Sequence, residues 1–280
     1  MRIEFTKAAA SGNDFIILDN RANKLVERGL NLSNFTKISS RRKFSVGADG
    51  ILVLEDSKSG NFKMRIFNVD GSEAEMCGNG ARCVGLWAFL AKGKKNVKFD
   101  TKAGLIEAKV KGKGNSSVVK IKISAPSGLK IDLPLKVSRR KIKVNFVNTG
   151  VPHVVIFVQG LEKIDVDKIG REVRFHKQFK PAGTNVNFVE IKGKNSLAVR
   201  TYERGVEAET LACGTGSLAS AVVSYFKLNP RVKQKKAISF SVSTKSKDIL
   251  KVTFDLLNKV SNVWLEGEAY LVYKGEIKRA

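Results

Sequence analysis

Twice in this chain a strand bearing arginine runs through an acidic, glycine-containing turn into Cys-Gly-x-Gly and then into a wholly apolar segment. The first copy is MRIFNVDGSEAEMCGNG (64–80), leading into ARCVGLWAFL (81–90). The second is VRTYERGVEAETLACGTG (199–216), leading into SLASAVVSYF (217–226). Each strand carries an aromatic residue two positions after its arginine: Phe67 after Arg65, and Tyr202 after Arg200. The interval from arginine to cysteine is 12 residues in one copy and 13 in the other. A pattern of this length, occurring twice, points to an internal duplication with two similar halves. The two apolar segments are hydrophobic nearly all round, so they read as helices that must be buried. A weaker echo pairs Gly12-Asn13-Asp14-Phe15 with Thr184-Asn185-Val186-Asn187-Phe188.

Strands are expected to surround these helices. Runs at 15–19, 51–55, 62–68, 97–101, 105–110 and 118–123 precede the middle of the chain. Runs at 142–147, 153–158, 185–191, 197–202, 238–242, 249–254, 262–266 and 269–273 follow it. Many alternate apolar with polar residues and are separated by Gly, Asn, Asp or Ser, as antiparallel strands should be. An exposed helix is predicted over Asn34 to Arg42, with Ser33 as its N-cap. The boundary between halves is placed near Ala125-Pro126-Ser127-Gly128. The first half is then 1–126, joined by a final strand at about 268–280, and carries Cys77. The second half is 127–267 and carries Cys213.

Composition excludes several classes. No run of about 18 apolar residues is present, which speaks against a membrane-spanning helix. The opening MRIEFTKAAASGNDF has no apolar core of a secretory signal, so a cytoplasmic protein is expected. The net charge of +25 invites a nucleic-acid reading, but the lysines are spread from Lys7 to Lys278. The small clusters, Arg139-Arg140-Lys141 and 233–236, lack interleaved aromatics. A solvated basic surface without specific nucleic-acid recognition is the expectation. Three cysteines, an odd number, make no disulfide framework. Cys77 and Cys83 have neither a CxxC spacing nor a histidine partner, so a structural zinc site is not expected.

What remains for the cysteines is burial or reactivity. Glycines let a backbone approach a ligand closely. Amide N–H groups at a helix start point outward at the positive end of the helix dipole and suit a carboxylate. A thiol at the same place should favour its thiolate, with a pKa below about 8.5. Each turn therefore offers a carboxylate cradle beside an activated thiol. Two such turns suit inversion of an amino-acid Cα, with a base on one face, an acid on the other and amides stabilising the carbanionic charge. Either turn alone is better read as a buried small residue, and Gly-Asn-Gly-Ala-Arg as a fragment of a weak dinucleotide fingerprint.

The motifs GNDFIILD (12–19), FNVDGSEAEMCGNGARC (67–83), GTNVNFV (183–189), YERGVEAETLACGTG (202–216) and the pair Pro152-His153 together resemble the diaminopimelate epimerase family. The resemblance implies an α+β fold of two pseudo-symmetric domains, each a curved, mainly antiparallel sheet wrapped around a central helix. It implies epimerisation of LL-2,6-diaminopimelate to the meso form without pyridoxal phosphate or metal, supplying lysine and peptidoglycan precursors. It assigns the acid/base roles to Cys77 and Cys213. Gly78, Asn79, Gly214 and Thr215 would hold the reacting carboxylate. Asn13, Asn68, Asn185, Glu203 and Arg204 would recognise substrate, with Arg204 on the distal carboxylate and Glu203 on the distal ammonium. His153 matches a supporting position, tuning a thiol or the substrate ammonium. A homodimer is what the family suggests.

Three positions depart from the commonest family pattern. Val151 stands where an asparagine contacts the distal group, Ala10 where the opening motif has glycine, and the Glu203–Glu209 turn is one residue longer. They bear on specificity for the distal end, not on the cysteines. The rival readings are a related racemase, for example of histidine, and a noncatalytic polyanion-binding protein. Cys83, inside an apolar helix, is expected to be core.

Overall fold

The computed structural model describes residues 2–27, 29–138, 140–229, 231 and 234–278; Arg139 and Lys233 of the basic clusters lie outside these. The chain forms two compact units, Met1–Lys122 with Glu266–Ala280, and Ile123–Leu265. The first unit contains β1 (Arg2–Ala10), β2 (Asn13–Asp19), α1 (Lys24–Glu27), α2 (Leu32–Ser39), β3 (Gly50–Glu55), β4 (Phe62–Asn68) and β5 (Glu73–Ala74). It continues with α3 (Gly78–Lys92), β6 (Asn96–Thr101), β7 (Gly104–Lys111) and β8 (Ser116–Lys122). The second unit opens with β9 (Ser127–Val137), β10 (Arg140–Asn148), β11 (Pro152–Phe157), α4 (Val166–Arg174), β12 (Asn185–Gly193) and β13 (Ser196–Glu203). Then come β14 (Ala208–Thr210), α5 (Gly214–Leu228), β15 (Lys235–Ser243), β16 (Ile249–Leu256) and β17 (Val260–Lys278). The far part of β17 belongs to the first unit and pairs antiparallel with β1, from Ala9 opposite Tyr270 to Arg2 opposite Lys278.

Strand order shows the duplication directly. In the first unit β1–β2 is antiparallel, β2–β3 parallel, β3–β4 antiparallel, and β4–β6 parallel across α3. In the second, β10–β11 is antiparallel, β11–β12 parallel, β12–β13 antiparallel, and β13–β15 parallel across α5. Parallel neighbours need a crossover, and α2 and α4 lie on the first crossover of each unit. The weaker sequence echo is corrected by this order. Asn13 opens β2, whereas Asn185 opens β12, the counterpart of β3; the resemblance of GNDF to TNVNF does not descend from the duplication.

Each central helix is enclosed by its strands. α3 packs against β1, β2, β4, β6, β7 and β8, and α5 against β9–β13, β15 and β16. Ala81, Cys83, Val84 and Leu86 of α3, and Leu218, Ala219, Ala221 and Val223 of α5, are buried. Burying a Val or Leu side chain contributes about 1.5–3 kcal/mol, so the all-round apolar pattern is what such a position demands. Gly85 lets α3 pack closely on the sheet, since a Cβ there would lie 3.1 Å from both Ala108 and Val119 side-chain carbons. Cys83 is core, and burial pushes its thiol up.

Two local expectations change. The buried helices begin three residues earlier than their apolar runs, at Gly78 and Gly214, so the Gly-x-Gly segments are first turns of helix and the cysteines are N-caps. α2 is capped by Asn31, whose Oδ1 accepts from Asn34 N at 2.9 Å. Ser33 instead donates to Gly71 O at 2.9 Å. α2 is amphipathic rather than exposed, with Leu32, Phe35 and Thr36 buried. Among the described residues no helix is long and apolar enough to cross a membrane.

Candidate functional site

The arginine and the acidic turn shared by the two copies form a clamp in each unit. Arg65 Nε and Nη2 donate to Glu73 Oε1 and Oε2 at 2.9 and 3.0 Å, and Lys102 Nζ lies 2.9 Å from Glu73. Arg200 Nε and Nη2 donate to Glu209 at 2.6 and 2.9 Å, and Lys245 also pairs with Glu209. Both glutamates stand four residues before the cysteine. The short strands β5 and β14 are thereby bolted to β4 and β13, opposite Phe67 and Tyr202 respectively. Bidentate Arg–carboxylate pairs fix geometry as well as adding energy. The Arg65 pair and Lys102 hold the Glu73 carboxyl down at about 2.

Beyond each clamp the chain enters its cysteine in extended conformation, at φ −135° for Cys77 and −122° for Cys213. Each carbonyl closes the first helical turn: Cys77 O accepts from Ala81 N at 2.8 Å, and Cys213 O from Ser217 N at 2.9 Å. Cys213 Sγ accepts from Gly216 N at 3.4 Å and lies 3.4 Å from Thr215 Oγ1. Gly216 is required here, because a Cβ would come within 2.3 Å of Asn187 Oδ1 and 3.3 Å of Cys213 Sγ.

The expected thiolate is not what Cys213 shows. Burial first, and then the neighbouring Glu203 carboxyl, push its thiol well above the usual range. The helix-start amide of Gly216 acts the other way and loses. Cys213 therefore rests as the protonated thiol. Burial also raises Glu203, and its hydrogen bond with Cys213 works against that. Cys77 is half-buried.

Around Cys213 the second unit gathers most of its expected site residues. Asn185 Oδ1 accepts from Arg204 N at 2.8 Å, and its Nδ2 donates to Pro152 O at 3.2 Å. Arg204 Nη1 donates to Ala182 O at 3.2 Å. Thr149 Oγ1 donates to Thr215 O at 3.3 Å. In the first unit Asn79 Nδ2 donates to Asn13 Oδ1 at 2.7 Å. Asn68 is not drawn into that pair; its amide donates to Ser72 Oγ at 3.1 Å within its own turn. By strand register Asn68 and Glu203 hold equivalent places, each ending the strand that carries the clamp arginine.

His153, on β11, is fully buried and lies opposite Asn185 of β12. Asn187 Nδ2 donates to Val154 O at 2.9 Å and meets His153 Nδ1 at 3.0 Å, while Thr201 Oγ1 donates to Asn187 Oδ1 at 3.0 Å. A carbonyl partner settles which end of the Asn187 amide is the donor, so His153 Nδ1 accepts and Nε2 carries the proton. Burial lowers its pKa to about 3. A neutral imidazole with a buried Nε2–H can donate to a sulfur or carboxylate but cannot receive a proton from an ammonium. We expect the His153 ring to show no titration between pH 5 and 9 and the Nε2–H pattern by 15N NMR; a His153 titration near pH 6.5 would contradict this assignment.

Sequence reasoning missed Asn187, Thr201, Asp49 and Arg82. Asn187 lay in the GTNVNFV motif, and Arg82 was concealed inside a segment read as apolar. Arg82 is nonetheless completely buried.

The solved structures this fold resembles include a phenazine biosynthesis protein of Bacillus anthracis, at TM-score 0.70 and 16% identity, with 100% of each chain covered. A probable proline racemase from Agrobacterium radiobacter matches at TM-score 0.70 and 13% identity, over 99% of this chain and 93% of that one. Two sheet-wrapped helices, each capped by cysteine, thus belong to the fold that these structures share. The diaminopimelate epimerase family model matches residues 5–126 and 145–253. The diaminopimelate epimerase of Aquifex aeolicus is 42% identical, with 98% of each chain covered. That of Methanocella arvoryzae is 41% identical over 99% of this chain and 97% of its own. The chain belongs to the diaminopimelate epimerase family.

Proposed function

We propose that this protein interconverts LL- and meso-2,6-diaminopimelate, with Cys77 and Cys213 as the two acid/base groups. The observation that carries this reading is the duplicated, clamped cysteine N-cap in a chain of this family. One sulfur removes the Cα proton from one face while the other delivers a proton to the opposite face. Because Cys213 rests as a thiol, it is the donor in the direction that begins with Cys77 as thiolate. Delivery leaves a thiolate beside Glu203, and the charge conflict between them favours return of the proton once product leaves.

Helix-start amides at Gly78, Asn79, Gly214 and Thr215 hold the reacting carboxylate and stabilise charge as it spreads from Cα. Asn13, Asn68, Asn185, Glu203 and Arg204 recognise the remainder of the substrate, and His153 donates from Nε2. The chemistry calls for neither pyridoxal phosphate nor metal. A cytoplasmic homodimer serving lysine or peptidoglycan precursor synthesis, with a basic surface that binds no nucleic acid specifically, completes the reading.

The test is to incubate purified, reduced protein separately with LL-diaminopimelate, L-histidine and L-proline, and resolve stereoisomers by chiral chromatography. Formation of meso-diaminopimelate alone is expected. Inversion of histidine without inversion of diaminopimelate would replace this substrate with its rival.

A further inference from the structure

A line of hydrogen bonds in the first unit runs in one direction, from a buried cation to a carboxylate. Arg82 Nη2 donates to Asn79 Oδ1 at 2.9 Å. Asn79 Nδ2 donates to Asn13 Oδ1 at 2.7 Å, and Asn13 Nδ2 donates to Asp49 Oδ2 at 3.0 Å. Arg42 Nη2 then holds the other Asp49 oxygen at 2.8 Å. A guanidinium only donates and a carboxylate only accepts, so the two ends fix the orientation of both amides between them. Neither asparagine can flip without setting donor against donor or acceptor against acceptor. Each amide is also polarised by the bond before it.

Arg82 does a second thing. The same Nη2 donates to Ser11 Oγ at 2.8 Å. Ser11 and Gly12 form the two-residue turn between β1 and β2, with φ of 50° and 86°. Both positive values mark the turn type that matches strand twist, though at some cost for the non-glycine Ser11. Arg82 thus grips both the turn that launches Asn13 and the amide of Asn79. Ser11, Asn79 and Arg82 are each at most 3% exposed, whereas Asn13 is half-buried.

We infer that Arg82 and Asp49 are positioning residues that hold Asn13 and Asn79 with their N–H hydrogens presented to substrate. After the relay is made, each Nδ2 retains one further hydrogen. Those hydrogens suit an acceptor such as a substrate carboxylate. The inference rests on the proposed function for its substrate but not for its geometry. An orienting role acts on ground state and transition state alike, so it should appear in KM more than in kcat.

The experiment uses Asp49→Ala, Arg82→Met, Arg82→Lys, Asn79→Ala and the double variant Arg82→Met with Asn79→Ala. With LL-diaminopimelate, Asp49→Ala and Arg82→Met should each raise KM about tenfold or more with a smaller change in kcat, as for a lost hydrogen bond to a charged group. Arg82→Lys, which keeps a cation, should recover part of the loss. In the Asn79→Ala background Arg82→Met should add little, since the relay is already cut. Equal KM effects in both backgrounds, or an unchanged KM in Asp49→Ala, would overturn the assignment. If Arg82→Met does not fold, Asp49→Ala and Arg82→Lys still decide. If the wild type has no activity on diaminopimelate, the proposed function fails first. The relay is then read from side-chain amide 1H–15N signals of ligand-free protein. Those of Asn13 should shift in both Asp49→Ala and Arg82→Lys, and signals unmoved in both would sink it.

Discussion

Cys77→Ala and Cys213→Ala should each lower kcat for diaminopimelate inversion by at least about 10³-fold, while leaving the protein folded. General acid or base catalysis contributes about 10² to 10⁴, and here each direction needs both groups. Alanine replaces a small side chain at an extended N-cap, so the backbone of α3 or α5 has no reason to move. The two losses should nonetheless differ in their pH dependence. Cys213 is buried beside Glu203, whose carboxyl opposes thiolate formation. Glu203→Gln in the otherwise intact enzyme should bring the alkaline limb of the rate profile to lower pH, as the Cys213 thiol is relieved of a negative neighbour. Steady-state kinetics from pH 6 to 10 would check this. A Cys213→Ala enzyme that still inverts its substrate would remove the two-sulfur mechanism.

Gly216→Ala should also be strongly damaging, though less so, and for a steric reason. The added Cβ meets Asn187 Oδ1 at 2.3 Å and Cys213 Cβ and Sγ at 3.2 and 3.3 Å. Asn187 has nowhere to retreat, because its oxygen is bonded to Thr201 and its nitrogen to Val154 O and His153. Overpacking of this kind costs about 1–3 kcal/mol of stability. Displacement of a reacting sulfur costs about 10²-fold in rate, which is the kcat loss expected. Gly80, the matching residue in the first unit, meets the end of a side chain, Leu52 Cδ2, at 3.0 Å, and Cys77 Cβ only at an ordinary 3.7 Å. Gly80→Ala should therefore lose much less, and thermal melts with kinetics on the two variants would show it. Equal losses would mean that the Asn187 contact is not what makes Gly216 necessary.

Residue patterns that carry local physics were legible beforehand. Phe62–Asn68, alternating and bounded by Gly and Asp, is β4 with the same limits. The apolar helices were legible because a helix enclosed on all sides is mostly apolar all round. β1 was not foreseen, since RIEFTKAAA ends in alanines with little preference for strand; its pairing with β2 and β17 imposes the conformation. β9 carries Pro134 and a positive φ at Asp132, both of which argue locally against a strand. α4 was missed because VDKIGREVR is mostly charged, and only Val166, Gly170 and Val173 turn inward.

In the site, the two buried helices and the cysteines beside their starts followed from the apolar runs and the repeated Cys-Gly-x-Gly, but the N-cap position of the cysteines and the state of Cys213 did not. A helix start favours thiolate, and burial disfavours it; only the three-dimensional surroundings say that burial wins. The arginine of each copy looked like a marker of duplication, and folding shows it to be a clamp. Arg82 was hidden for the opposite reason, being one charge in an otherwise apolar run whose partners lie far off in sequence, at Ser11, or one helical turn away, at Asn79.

The most direct test of the two-sulfur account is the early time course of inversion in D2O, with LL-diaminopimelate as substrate and reductant present. The account predicts that meso product carries deuterium at the inverted centre from the first turnovers, while recovered LL substrate carries almost none. Deuterium appearing equally in both at low conversion would point to a single group serving both faces. Absence of any incorporation would contradict the reaction itself.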